Sequence, residues 1–121
     1  MNNYAADSNS GSILDLVDFV LDFRPLYLQM PYLRNIRRMT YENAITYFTD
    51  HEPPLPFAKA AMVLEQAEDG AAFFTQVFLD EANNLVCDQV RGVPYGRRCL
   101  IRSMDDELSR LFGTKQVVLV K

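Results

Sequence analysis

Residues 60–80 read AAMVLEQAEDGAAFFTQVFLD. Two apolar runs, 60–67 and 72–80, flank Glu68-Asp69-Gly70. An Asp-Gly pair supplies the positive-φ backbone of a tight turn, and Val and Phe suit a pleated, half-buried surface. The stretch therefore predicts an antiparallel hairpin whose second strand, 72–80, is central to a sheet.

Working outward toward the C-terminus, Asn83-Asn84 marks the next turn and 85–91 reads as a third strand. Gly92 to Gly96 makes another turn before a strand at 97–102. Ser103, with Asp106 three positions on, is the expected cap of a short helix closed by Gly113, and 117–120 reads as the last strand. Centring the second hairpin on Val93 sets Cys87 opposite Cys99 and Asp88 opposite Arg98.

Working toward the N-terminus, Pro53, Pro54 and Pro56 stop a helix that Thr40 caps and that runs to about residue 50. The Pro-Pro-Leu-Pro run reads as a rigid connector or as a proline-recognition motif, and the sequence leaves both open. A second helix is expected at 32–39 behind Pro31, with Leu33 and Ile36 inward and Arg34, Arg37 and Arg38 clustered at helical spacing. A first helix is expected from Ser12 to Pro25, which ends it. Its face of Asp15, Asp18 and Asp22 could pair with the basic cluster. Residues 1–11 are polar and small and read as a flexible arm.

The expected architecture is α+β: three N-terminal helices packed on an antiparallel meander of about five strands, with a short helix before the last strand. At 121 residues, the body from 12 to 121 is one domain with one core. The net charge of −4 argues against non-specific nucleic-acid binding, which needs a cationic excess. The N-terminal stretch lacks the pattern of an export signal, so a cytoplasmic location and reduced thiols at Cys87 and Cys99 are expected, with no membrane association.

Catalytic signatures are wanting. His51 is the single histidine and sits where it can cap the third helix. Gly11, Gly70, Gly92, Gly96 and Gly113 form no phosphate-cradling motif, and no Ser occupies a nucleophile elbow. No cofactor or metal is implied. Arg91, Tyr95 and Arg97 are expected together at the tip of the turn, suited to gripping a carboxylate or phosphate beside an aromatic ring, and Arg34, Arg37 and Arg38 form the second candidate contact face. The expected function is that of a small cytoplasmic regulatory or adaptor protein, not an enzyme, acting by protein-protein binding as a homodimer, with inhibitor or immunity types included. The alternatives are a nucleic-acid-associated factor using an Arg patch, and a small-molecule-binding or enzymatic domain with an enclosed pocket.

Overall fold

The computed structural model describes residues 24–30 and 32–120, with the side chains of 32–34 excepted. Strands are β1 (Tyr32–Met39), β2 (Lys59–Gln66), β3 (Ala72–Leu79), β4 (Gly96–Met104) and β5 (Val117–Val120); helices are α1 (Tyr41–Asp50) and α2 (Asp106–Phe112). A further helical turn occupies residues 24–27. The five-stranded sheet has the order β1-β4-β3-β2-β5. The α+β class, a sheet of five strands and the short helix before the last strand are as the sequence predicts, although one of the five strands is not the one expected.

The 60–80 hairpin forms in register, with Ala60 opposite Phe78 and Glu65 opposite Phe73. Its turn is a single 3₁₀ turn, Glu68–Gly70, in which Asp69 and Gly70 take φ of 60° and 75°. β3 is the central strand: β2 holds one edge and β4 the other, so its residues 74–79 are buried on both faces. On one face, α1 and α2 cover Met62, Phe74, Phe78, Cys99 and Ile101. On the other, Tyr27 and Met30 pack on Ala61, Val63, Val77 and Leu85.

Several expectations are corrected. Residues 32–39 are a strand, not a helix. β1 runs parallel to β4 with Ile36 opposite Ile101 and Met39 opposite Met104, so the sheet is mixed and not a pure antiparallel meander. Leu33 and Ile36, three apart, suggest a helical period, but two apolar residues are too few to fix one. Pairing with the otherwise open edge of β4 decides it.

Residues 85–91 are not a full strand. β4 already occupies β3 from Ala72 to Val77, which leaves only the end of β3 for this segment. It makes the isolated bridges Leu79 to Leu85 and Cys87 to Pro94. The Val93-centred register therefore fails. Cys99 pairs with Phe74 in the helix-side core, whereas Cys87 packs on the opposite face, so the two thiols are separated by the sheet and form no disulfide with each other.

The cap of α2 is Asp105 and not Ser103, because β4 continues to Met104 before the chain turns. Pro25, finally, lies inside helical residues 24–27, with the Leu28 N–H donating to the Arg24 carbonyl at 3.0 Å. The arm at 1–11, the rest of the first helix with Asp15, Asp18 and Asp22, and Pro31 all lie outside the described residues.

The Thr40 cap stands as predicted, accepting from the Asn43 N–H at 3.0 Å. The proline run links α1 to β2. Pro53 is buried and Leu55 and Phe57 pack against the core, which makes the run a connector.

Candidate functional site

The loop from Asp88 to Tyr95 is shaped by one carboxylate. Asp88 accepts from the Val90 N–H at 2.8 Å and the Arg91 N–H at 3.0 Å. Its backbone closes the loop, donating to the Val93 carbonyl at 2.9 Å and accepting from the Gly92 N–H at 2.7 Å. The hydrogen bonds from Arg91 and Val90 hold the Asp88 carboxyl below its usual range. The base of the loop is tied to the sheet through the Tyr95 N–H, which donates to the Val86 carbonyl at 3.0 Å. The tip is thus fixed while its side chains face water: Arg91 is exposed and Val90 is 95% exposed. Beside it lies a cleft of about 250 Å³, lined by Met30, Arg91, Val93, Pro94 and Tyr95.

Arg91 and Tyr95 line the same cleft, with Tyr95 partly buried against the helix-side core, but Arg97 does not join them. Arg97 lies in β4 and turns to the α1 face, where it is buried. Its Nε donates to Gln76 Oε1 at 2.6 Å, an Nη donates to Asn43 Oδ1 at 2.9 Å, and the guanidinium lies 4.2 Å from the Tyr47 ring centre. Gln76 in turn donates to the Ala44 carbonyl at 2.8 Å. The pair holds α1 onto the sheet, and Arg97 also lines an open depression with Thr40, Tyr47 and His51. His51 ends α1 as the sequence suggests: its backbone N–H donates to the Tyr47 carbonyl at 3.0 Å and its ring stacks on Tyr47 at 4.5 Å.

The basic cluster is redistributed along the edge strand β1. Arg37 and Arg38 are exposed at successive positions, and successive strand residues point to opposite faces, so they do not form one patch. Arg34 sits opposite Cys99 in the same strand. Charged residues on a free edge discourage pairing with other chains, which accounts for this strand without a ligand.

Arg98 is the residue whose setting the sequence reading missed. It was expected to pair with Asp88, but Asp88 is committed to its own loop. Arg98 lies opposite Thr75 in β3, on the face away from the helices, and is 8% exposed. Its guanidinium sits 4.7 Å from the Phe73 ring centre. Thr75 Oγ1 and Arg98 Nε are buried without a hydrogen-bond partner among the described residues. Glu65 lies beside the Tyr27 hydroxyl and pairs with Arg24 at 3.2 Å. Burial above all, then the Glu65 charge and a hydrogen bond with that carboxylate, push the Tyr27 hydroxyl up to about 12. The available signal was Thr75-Gln76 within an apolar strand: two polar residues bound for opposite faces of a central strand each imply a polar neighbour there.

No protein-family model matches the chain, and comparison with curated proteins and with solved structures returns no significant match. Among the described residues, no helix is long and apolar enough to cross a membrane.

Proposed function

We propose that the protein is a small regulatory or adaptor protein that acts by binding another protein through the 88–95 loop and the cleft at its side. The observation that carries this reading is the contrast between a backbone pinned by Asp88 and the nearly full exposure of Val90 at its tip. A preformed loop loses little conformational entropy on binding. Arg91 and Tyr95 are of the types that dominate binding energy at protein interfaces, and a guanidinium recognises a carboxylate of the partner by paired hydrogen bonds.

Homodimerisation through β1 is disfavoured, since antiparallel pairing of two copies about this edge brings arginines toward arginines. The proposed partner is a different protein with an acidic, partly apolar contact. A cytoplasmic setting belongs to the same proposal.

The test is affinity capture from native cells, read by mass spectrometry, with wild type and with Val90→Asp/Arg91→Ala. Exposed substitutions of this kind change stability by within about 0.5 kcal/mol. A protein captured by wild type and lost with the variant, at unchanged melting temperature, supports the reading. Equal capture by both overturns it. Capture that consists of nucleic acid and collapses steeply with salt replaces it with the nucleic-acid reading.

A further inference from the structure

The cleft beside the 88–95 loop has an apolar interior and a charged rim. Met30 lies at its floor: the residue is 3% exposed, and its methyl sits against Gly96, 3.2 Å from where a Cβ on that glycine would stand. Val93 and Pro94 form the wall that the loop contributes, held in place by the Cys87 to Pro94 bridge. At about 250 Å³ the cleft is smaller than the ~300–1,000 Å³ of a pocket that encloses a whole ligand. It has room for about eight waters at the ~30 Å³ each takes in the liquid, which suits one large side chain. The segments that wall it also carry the two large hydrophobics that stand exposed among the described residues, Leu28 and Val90.

The two charges at the rim have unequal duties. Asp88 is half-buried and commits its carboxylate to the Val90 and Arg91 N–H groups. Arg91 is exposed, and its guanidinium makes no ion pair or hydrogen bond among the described residues. Its charge reaches Asp88 only as the least of the influences on that carboxyl. Arg91 is therefore the rim charge left open to a partner, and it favours an acid.

We propose that the cleft is an anchor pocket for one aromatic side chain of the partner protein, a phenylalanine with an acidic residue directly before it that meets Arg91. This rests on the loop contact proposed above and names what the loop reads. The choice of a ring follows from Met30, because a thioether gains from contact with an aromatic edge and its unbranched chain adapts to a flat body. The carboxylate belongs to the neighbouring residue, since the cleft has space for one side chain and an apolar interior that would leave a buried charge unpaired.

The experiment titrates the full chain, its methionine methyls labelled for NMR, with the capped dipeptide acetyl-Asp-Phe-amide and with the Asp-Ala, Asp-Leu and Asn-Phe forms. The Met30 methyl, identified by its loss in Met30→Leu, should shift saturably with Asp-Phe. Asp-Ala should bind at least ~tenfold more weakly, as expected for losing a buried large apolar side chain. Asp-Leu should bind about threefold more weakly for want of the sulfur–ring contact, and Asn-Phe about threefold more weakly for want of an exposed ion pair. In Arg91→Gln, Asp-Phe and Asn-Phe should bind alike. A Met30 methyl indifferent to Asp-Phe, Asp-Leu binding as tightly as Asp-Phe, or Asn-Phe binding as tightly as Asp-Phe to wild type would overturn the anchor. The peptides need no partner, so the two readings fail differently. Peptide indifference with capture still lost in Val90→Asp/Arg91→Ala overturns the anchor and keeps the loop contact, whereas capture unchanged in that variant overturns the loop contact and the anchor with it.

Discussion

At the scale of single residues, position decides what a residue type is worth. Gly96 has φ +141°, and a Cβ there would clash with the Gln76 carbonyl oxygen. Gly92 has φ +70° with nothing within 4 Å of the same built atom. Gly96→Ala should therefore cost on the order of 3 kcal/mol from clash and backbone strain together, against about 1 kcal/mol for Gly92→Ala, read from denaturant midpoints. Equal costs would mean that β3 and β4 approach less closely than described.

Tyr27 gives a pH-dependent test. Its folded pKa of about 12 is above the ordinary 10.0, so its contribution is fully present below pH 10 and is lost as pH rises toward 12. Absorbance titration of wild type against Tyr27→Phe should show that the missing phenol is a late-ionising one. Loss of an ordinary tyrosine from the curve near pH 10 would contradict its burial. The two adjacent arginines show what sequence conveys at this scale. Arg97 and Arg98 must point to opposite faces once they are in a strand. Which face was Arg97's could not be read until the register was known, and the register chosen from Val93 was displaced by pairing between β3 and β4.

At the scale of elements, local signals served where they were self-contained. Thr40 before α1, Asp-Gly between β2 and β3, and Val117–Val120 at the end each carry their own start or stop, and each formed as read. β1 and residues 85–91 did not, because their state depends on which edge of a distant strand is free. Asp105 shows a similar non-local duty. Its carboxylate caps α2 at the Leu108 N–H, 2.9 Å, and also accepts from the Tyr41 N–H at the start of α1, at 3.1 and 3.2 Å from its two oxygens. Asp105→Ala should destabilise by about 2 kcal/mol, the upper range for one cap, while Ser103→Ala, at the position the sequence favoured, should cost within about 0.5 kcal/mol. Thermal melts of the two variants check this, and a larger loss for Ser103→Ala would reverse the assignment.

At the scale of the whole molecule, the central placement of β3 ties both cores together. Phe74 and Phe78 are fully buried, packing edge-on against Phe112 and against Phe48 and Phe57 respectively. Truncation of either to Ala should cost about 3–5 kcal/mol by chemical denaturation. A loss below about 1 kcal/mol at both would refute a β3-centred core. The loop that carries the proposed contact is peripheral to both cores, which lets binding and folding be altered separately.

That separation is tested most directly by hydrogen-exchange mass spectrometry on the protein alone and with the partner identified by capture. The account predicts new protection in peptides covering 88–95, with exchange along β1 unchanged. Protection that appears along β1, with 88–95 exchanging as in the free protein, would place the contact on the basic edge strand and contradict the account.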